Sequence, residues 1–327
     1  MICVSRVIVL RDSLIAISAL LLSACASLPE KSDVTLGKER FVYALQGKGI
    51  PAVVFEAGLG GGMDSWAPVY ESVAGFTTAF AYNRRGYGES GKPAEAPASV
   101  GGGEVTQATG EMVVDAILPG VSTIMTIGTI ANHSLDESAP RSGAAIVADL
   151  HEVLKQTGVK PPYLLVGHSL GGLYTMLYAR TYPDEIAGIV LIDSMHPEQI
   201  ERCKQYLPEK ECDPEHYPWW VKTLIKMTPA VIRSEMTGAT ETGRQIRAAG
   251  HLPPVPIAVI SHGKPDSPDR DRMWATLQQE LAGESLHSTH IIASESGHNI
   301  QGDQPELVIQ AIKNLVMQAR QHIEILR

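Results

Sequence analysis

The sequence predicts an α/β fold in which a mostly parallel central sheet is flanked by helices. Short apolar runs such as 52–56 and 163–166 have the length and composition of buried strands. Between such runs lie stretches with helical spacing of apolar residues, such as 142–156 and 305–322. Strands that alternate with helices pair in parallel, because each helix carries the chain back across a face of the sheet.

The same alternation continues along most of the chain, and no internal repeat is present. Pro161 and Pro162 end one helical stretch, because proline lacks the N–H that a helix interior needs. The predicted strands are 41–45, 52–56, 77–82, 163–166, 186–192, 256–260 and 290–293. The predicted helices are 142–156, 170–181, 273–282 and 305–322.

Two segments interrupt the alternation. The first, about 93–140, opens with Pro, Ala and Gly and carries an apolar stretch that an acidic residue and a Pro-Gly pair break. A flap over a site, a membrane-touching hairpin and a loop all fit this irregular insertion. The second, 197–254, lies between two strands that would otherwise be neighbours, and we expect it to form a helical cap. The α/β core then comprises 40–196 and 255–327.

Composition and charge exclude some classes of protein. The chain has 327 residues, of which 44% are hydrophobic and 19% charged, as in ordinary globular proteins. A chain of this length can bury a full core. With 36 acidic and 27 basic residues, the formal net charge is −9. This excess of negative charge argues against a nucleic-acid partner and against purely electrostatic attachment to anionic lipid.

The N-terminus has the pattern of an export signal. Arg6 and Arg11 precede an apolar run at 13–22, which is too short to span a bilayer but matches the core of a signal peptide. The run ends at residues 22–25 in Leu-Ser-Ala-Cys, which resembles the bacterial lipobox. In that motif the cysteine is lipidated and becomes the new N-terminus, so the resemblance implies a lipid anchor on Cys25.

These features predict the location of the mature protein. We expect 1–24 to be a lipoprotein signal peptide, 25–39 to be a polar linker, and the protein to be exported and held at a membrane of the cell envelope. The residue after Cys25 is Ala26 and not an Asp, which favours the outer membrane in a Gram-negative cell. The alternative is an ordinary cleaved signal peptide with an incidental cysteine.

Cysteine usage fits an exported protein without a metal centre. The chain has four cysteines, of which Cys3 would leave with the signal peptide and Cys25 would carry lipid. In an oxidising compartment the remaining pair, Cys203 and Cys212, could form a disulfide, although two free thiols are the alternative. Because the sequence contains no C-x-x-C pair and no H-E-x-x-H string, we expect no metal ligands.

The string Val-Gly-His-Ser-Leu-Gly-Gly at 166–172 is the strongest functional signal. It lies between a predicted strand and a predicted helix, which is the setting of a nucleophile elbow, whose turn holds the Ser169 hydroxyl above the sheet. Gly167 and Gly171 leave room where a Cβ would clash with neighbouring backbone. The helix that begins at Leu170 offers unpaired N–H groups to a developing oxyanion.

Four stretches together resemble the α/β-hydrolase family, and in particular its esterase-like and lipase-like bacterial members. They are 148–151, 167–174, 182–185 and 296–301. The resemblance covers the chain from about residue 37 to the C-terminus, except for the insertion at 93–140, and it is loose in the expected cap. It implies a serine nucleophile, an acid and a histidine that follow one another along the chain in that order.

The resemblance also implies which residues complete the triad. His298 lies on the loop after the last predicted strand, where the family carries its general base. Asp266 lies on the loop after the strand 256–260, where the family usually carries its acid. Asp193, at the end of the strand 186–192, is the rival, since some members take their acid from that strand end. Otherwise Asp193 is a turn or helix-capping residue.

The loop after the strand 52–56 should supply a second oxyanion donor. Many relatives have His-Gly here, whereas this sequence has Ala57 and Gly58. Alignment on Gly58 makes the backbone N–H groups of Leu59 and Leu170 the two donors. The glycines of this loop do not match a dinucleotide-binding motif and no P-loop occurs, so no cofactor is expected.

These residues together predict hydrolysis of a small carboxylic ester through an acyl-enzyme. Serine at the elbow disfavours epoxide hydrolase and dehalogenase chemistry, for which related proteins use aspartate. The expected cap contains three large apolar residues, Trp219, Trp220 and Met227. They suggest that the ester has an apolar acyl or alcohol part, unless they only form the core of the cap. The alternatives are an amidase, peptidase or acyltransferase of the same fold, and a catalytically silent envelope-binding protein.

Overall fold

Ten strands occur in the part of the chain that the computed structural model describes, which is residues 28, 30–91, 111–113, 124–126 and 141–325. They are β1 (Lys31–Leu36), β2 (Glu39–Gln46), β3 (Ala52–Glu56), β4 (Ala79–Tyr82), β5 (Glu111–Val113), β6 (Ile124–Thr126), β7 (Tyr163–His168), β8 (Ile186–Ile192), β9 (Ile257–His262) and β10 (Ser288–Ala293).

Eight of these strands form one sheet in the order β1-β2-β4-β3-β7-β8-β9-β10. β1 and β2 are antiparallel to their neighbours, and all pairs from β4 to β10 are parallel. β5 and β6 form a separate antiparallel pair. Since β7 lies between β3 and β8, the loops that leave these three parallel strands meet at one edge of the sheet.

Helices cover both faces of the sheet. They are α1 (Ala67–Ala74), α2 (Gly143–Gln156), α3 (Leu170–Thr181), α4 (Gln199–Arg202), α5 (Glu209–Cys212), α6 (Trp219–Met227), α7 (Ala230–Ala248), α8 (Pro268–Gly283), α9 (Ile300–Asp303) and α10 (Pro305–Ile325). The predicted fold class, a mostly parallel sheet flanked by helices, is therefore confirmed.

The core has two layers, one on each face of the sheet. Along β3, Val54 packs into the layer that contains Leu150 of α2 and Tyr174 of α3, whereas Val53 and Phe55 pack into the layer that contains α1 and α10. All five residues of β3 are buried. This double burial explains why the central strands read as continuous apolar runs rather than as alternating ones.

The structure differs from the sequence prediction at two places near the N-terminus. Residues 31–36, which were expected in the polar linker 25–39, form the edge strand β1. This strand is mostly exposed, so its composition resembles that of a linker. Helix α1 at Ala67–Ala74 was not expected, and its short apolar face packs against the sheet.

The range in which a cap was expected, 197–254, contains helices α4 to α7 between β8 and β9. We call this range the inserted helical segment. Its helix α7 packs against α2 and α3 at close distance. At Gly238 of α7 a Cβ would lie 2.1 Å from the carbonyl oxygen of Arg141, so only glycine allows this approach.

Within the inserted helical segment, Cys203 and Cys212 are joined by a disulfide with an S–S distance of 1.99 Å. Trp219 and Met227 of α6 are 79% and 76% exposed, and Trp220 is 49% exposed. These three apolar side chains are therefore not the core of the segment.

Several sequence predictions lie outside the described residues. Among them are the signal peptide 1–24, Cys25, and most of the insertion 93–140, of which only the backbone of β5 and β6 is described. Among the described residues, no helix combines the length and the apolar character needed to cross a membrane.

Candidate active site

Ser169 lies at the turn between β7 and α3, with an unusual backbone conformation. Its φ is +53° and its ψ is −123°, a region that residues with a Cβ rarely adopt, at a cost of about 1–3 kcal/mol. The surrounding backbone holds it there: its N–H donates to the carbonyl of Ile192, and its carbonyl accepts from the N–H groups of Gly172 and Met195. The Ser169 side chain is 1% exposed.

The two glycines of the elbow allow the close approaches that the turn requires. A Cβ at Gly171 would lie 2.4 Å from the carbonyl oxygen of Glu56 and 2.5 Å from that of Ala57. A Cβ at Gly167 would lie 2.8 Å from the carbonyl oxygen of Gly171. The steric reason inferred from the sequence for both glycines therefore agrees with the contacts in the structure.

Asp193 is the carboxylate that His298 contacts. Asp193 directly follows β8, whose last residue Ile192 pairs with His168, the last residue of β7. Ser169 and Asp193 therefore leave adjacent parallel strands at the same edge of the sheet. His298, on the loop between β10 and α9, places its Nδ1 2.6 Å from Oδ2 of Asp193.

The expected acid, Asp266, does not take part in this arrangement, and the prediction for it is wrong in the structure. Asp266 lies on the loop before α8, where its carboxylate is 3.4 Å from Nη1 of Arg270 and its N–H donates to Asp271. The physical reason lies in packing. Asp193 is buried at the end of β8, within hydrogen-bond distance of His298, whereas Asp266 lies four residues beyond the end of β9 and contacts Arg270 instead.

The carboxylate of Asp193 is fully buried and accepts hydrogen bonds from several donors. Besides His298, the indole Nε1 of Trp274 donates to its Oδ1 at 2.7 Å, and the backbone N–H of His262 donates at 3.0 Å. The His262 ring places Nδ1 2.8 Å from Oδ2. Burial by itself raises the pKa of Asp193, but the hydrogen bonds from His262 and His298 hold it below its usual range.

The ionised Asp193 selects the tautomer of His298. A carboxylate only accepts hydrogen bonds, so Nδ1 of His298 carries the proton and Nε2 is left as an acceptor. Nε2 is buried and receives no hydrogen bond from any described residue. The ring of Trp274 meets the His298 ring edge-on at 6.2 Å between centroids and helps to hold it in place. Nε2 of His298 is therefore open to a new hydrogen bond at the sheet edge that carries Ser169.

His168 supports the loop that carries His298. Its Nε2 lies 2.9 Å from the carbonyl oxygen of His298, and the two ring centroids are 4.6 Å apart. His168 is itself buried. Burial, with a smaller effect from neighbouring His298, lowers the pKa of His168 to about 3.

Both residues expected to supply oxyanion donors lie on segments that adjoin Ser169. Leu170 is the first residue of α3, so its N–H lacks a partner within the helix. Leu59 lies on the loop after β3, and a Cβ at the preceding Gly58 would lie 3.2 Å from the Cβ of Ser169. No described residue accepts a hydrogen bond from the N–H of Leu59. The segments that carry Leu59 and Leu170 therefore both adjoin Ser169.

Three residues with contacts at this site were not singled out from the sequence. His262 and Trp274 contact Asp193, and Arg84 contacts the carbonyls of the loop that holds Leu59. Each lies far along the chain from its partner, so neither local spacing nor a short motif indicates the contact. For Arg84, its position two residues after the end of β4 was the available signal.

One exposed cluster has the residue types of a metal site. The ligand atoms of Glu209, Asp213 and His216 lie within 4.8 Å of one another. The ammonium of Lys204 lies 2.9 Å from Glu209 and 3.0 Å from Asp213, so a cationic side chain already pairs with these carboxylates.

Comparison with known proteins gives a consistent result. The family model described as alpha/beta hydrolase fold matches residues 51–225, which is more than half of the chain. The uncharacterized protein YqjL of Bacillus subtilis is 26% identical over 263 residues, which cover 80% of this chain and 81% of YqjL.

Solved structures share the fold at low sequence identity. A thermophilic esterase from Thermogutta terrifontis is 18% identical, with a TM-score of 0.51, over 89% of this chain and 99% of the esterase. The mouse alpha/beta hydrolase domain-containing protein 10 is 16% identical, with a TM-score of 0.55, over 88% of this chain and 99% of the mouse protein. Likeness at this level shows the fold alone.

Replacing Asp193, but not Asp266, should abolish the reactivity of Ser169. In Asp193→Asn the amide can donate to Nδ1 of His298, which moves the ring proton to Nε2 and removes the base. We expect labelling of Ser169 by a fluorophosphonate probe to slow by at least roughly 100-fold. The matched variant Asp266→Asn should label within about twofold of wild type. Equal losses in both variants would contradict this assignment.

The buried His168 should make stability depend on pH. Its pKa is about 3 in the folded state and about 6.5 in the unfolded chain, so the unfolded chain binds more protons between these values. The stabilisation is therefore complete above about pH 6.5 and is lost as the pH falls towards 3. From pH 7 to 5, the free energy of unfolding should fall by about 2 kcal/mol more in wild type than in His168→Gln. Urea unfolding at both pH values measures this difference, and equal decreases would refute it.

Proposed function

We propose that this chain, which belongs to the α/β-hydrolase fold family, is a serine hydrolase. Its substrates on this proposal are carboxylic esters. The observation that carries the proposal is the hydrogen bond between the buried Asp193 and Nδ1 of His298, at the sheet edge where Ser169 forms the elbow. Nucleophile, acid and base then follow one another along the chain in the family's order.

Acylation begins with attack of the Ser169 hydroxyl on the substrate carbonyl. Its Oγ forms a bond to the carbonyl carbon while Nε2 of His298 accepts the hydroxyl proton. The imidazolium that results is stabilised by the ionised Asp193, which keeps its negative charge throughout. The proton on Nε2 then passes to the leaving alcohol oxygen as the ester C–O bond breaks.

The carbonyl oxygen gains negative charge in the tetrahedral intermediate. The backbone N–H groups of Leu59 and Leu170 are the donors that we assign to it, and Leu170 adds the positive end of the α3 dipole. Because both side chains are buried, these donors are shielded from water, which strengthens their effect on the oxyanion.

Deacylation repeats the same steps with water as the nucleophile. His298 accepts a proton from the water as its oxygen attacks the acyl carbon, and it then returns this proton to Oγ of Ser169. The carboxylic acid leaves and the free serine is restored.

An ester with an apolar part fits the surroundings of the site. We call residues 57–62, the loop that follows β3, the oxyanion loop. The Cδ1 atom of Ile232, on α7, lies 3.7 Å from the position of a Cβ at Gly60, so an apolar side chain of the inserted helical segment approaches this loop. The solved structure named as an esterase shares the fold. We therefore propose that this segment acts as a cap that helps to select the substrate.

A series of nitrophenyl esters of increasing acyl length tests the proposal. Wild type should hydrolyse at least one of them, and Ser169→Ala should be slower by several orders of magnitude, roughly 10³-fold or more. The matched control is Ser285→Ala, which removes a hydroxyl bonded to the carbonyl of Val255 outside the loops of the site, and it should keep wild-type turnover. Ester turnover that survives in Ser169→Ala would refute the mechanism. A wild type inactive on every ester would refute the ester substrate.

We also propose that the chain is exported and anchored to a membrane through lipid on Cys25. The support is the lipobox-like string at 22–25 after a basic and apolar leader. Leu28, three residues after Cys25, donates its backbone N–H to Asp64 at 3.2 Å, so the anchor would lie close in sequence to the folded chain.

Fatty-acid labelling tests the anchor. The full chain expressed in a bacterial host with an alkyne fatty acid should be labelled and found with the membranes. Cys25→Ala should lose the label, and the matched control Cys3→Ala should keep it, because Cys3 would be removed with the signal peptide. Labelling that persists in Cys25→Ala would contradict the proposal.

A further inference from the structure

We propose that Arg84 is a positioning residue that holds the oxyanion loop in its productive orientation. Its guanidinium fixes the peptide group between Gly58 and Leu59, whose N–H is one of the two assigned oxyanion donors. The proposal rests on the proposed function of the site and adds a residue that contacts neither the substrate nor the triad.

All five N–H groups of the Arg84 guanidinium have an acceptor. Nη1 donates to the carbonyl oxygen of Ala57 at 2.6 Å and to Oε1 of Glu56 at 2.7 Å. Nη2 donates to the carbonyl oxygen of Gly58 at 2.8 Å and to Oε2 of Glu235 at 2.9 Å, and Nε donates to Oε1 of Glu235 at 3.0 Å. Two consecutive carbonyls of the loop are thus held by one rigid planar group.

The geometry of the peptide bond carries this contact to the oxyanion donor. The carbonyl of Gly58 and the N–H of Leu59 belong to one planar, trans peptide unit, so they point in opposite directions. When Arg84 fixes the carbonyl, it therefore also fixes the direction of the N–H. The Gly58 backbone lies against the Cβ of Ser169, so the unit is held beside the nucleophile.

Aromatic side chains keep the guanidinium itself in place. Its central carbon lies 4.7 Å from the ring centroid of Tyr87 and 5.4 Å from that of Tyr174, distances typical of cation–π contacts. Tyr174 belongs to α3, the helix that follows Ser169. The Arg84 side chain is 2% exposed, so water does not compete for its hydrogen bonds.

Glu235 connects this group to the inserted helical segment. It lies on α7, is fully buried, and holds Arg84 through both carboxylate oxygens. The hydroxyl of Tyr87 also donates to Glu235 at 2.9 Å and accepts from the N–H of Gly60 at 3.3 Å. The oxyanion loop is therefore tied to α7 at two points.

A lysine could not make the same set of contacts. Its ammonium is a single point with three donors, whereas the two carbonyls and two carboxylates need five donors spread over a plane. Arg84→Lys should keep the positive charge that the buried Glu56 and Glu235 require, yet lose the directed hold on the loop. This variant separates the geometry of Arg84 from its charge.

The test compares wild type with Arg84→Lys on the best nitrophenyl ester and with a trifluoromethyl ketone of the same acyl chain. The ketone forms a tetrahedral adduct with serine and therefore reports on the oxyanion donors. For Arg84→Lys we expect kcat to fall by roughly 10- to 100-fold with KM within about twofold. The affinity for the ketone should fall by a similar factor.

Arg180→Lys is the matched control for loss of a buried arginine, because Arg180 binds a carboxylate and two carbonyls at the far end of α3. It should keep the wild-type kcat. If Arg84→Lys does not fold, Glu235→Gln replaces it, since the amide breaks the bidentate contact at similar volume, and its kcat should fall by roughly tenfold.

The outcomes separate this proposal from the proposed function. A folded Arg84→Lys with wild-type kcat and ketone affinity overturns the role of Arg84 while ester hydrolysis by Ser169 stands. A rise in KM with unchanged kcat also overturns it, since Arg84 would then act on substrate binding. A wild type without activity on any ester removes the basis of both proposals.

Discussion

The buried carboxylate of Asp193 is the group on which the arrangement of the site depends. A charge out of contact with water costs several kcal/mol unless hydrogen bonds compensate it. Here the donors come from β9, α8 and the loop after β10, through His262, Trp274 and His298. Three elements that are distant along the chain must therefore converge on β8 for the carboxylate to be tolerated. The placement of His298 at the sheet edge that carries Ser169 follows from the same requirement.

The strained backbone of Ser169 depends in turn on close packing. A positive φ at a residue with a Cβ persists only where the surrounding structure over-determines it. Hydrogen bonds to the backbone of Ile192 and Met195 supply part of this constraint. The tight contacts of Gly167 and Gly171 supply the rest, because they lock the elbow against β3 and the start of α3. The strain is thus a consequence of the sheet and helix that flank it.

A second buried charge network holds the opposite side of the site. Arg84, between Glu56 and Glu235, joins the end of β3 to α7 of the inserted helical segment. Burial raises the pKa of Glu56, and Arg84 opposes that effect. Each buried charge in this network is balanced by a partner and held by several hydrogen bonds, so the network is rigid. Removing one partner would leave an uncompensated buried charge. On our proposal, this rigidity serves the oxyanion donor.

The amino-acid sequence by itself determined the fold class, most strands and helices of the core, and the elbow around Ser169. The periodicity of apolar residues, the length of apolar runs and the spacing of glycines are local properties of the sequence. The structure has β3, α3 and β8 with the predicted bounds. The sequence pattern did not reveal β1, because a strand at an exposed sheet edge has the composition of a linker.

Only the tertiary structure decided which carboxylate faces His298. Asp193 and Asp266 both follow predicted strands, so local pattern could not separate them. The choice depends on packing, which buries Asp193 within hydrogen-bond distance of His298 and leaves Asp266 paired with Arg270 on the loop before α8. The contacts of Arg84 with the oxyanion loop and with Glu235, 151 residues away, have the same origin. Pairings between distant segments follow from packing, and local sequence does not encode them.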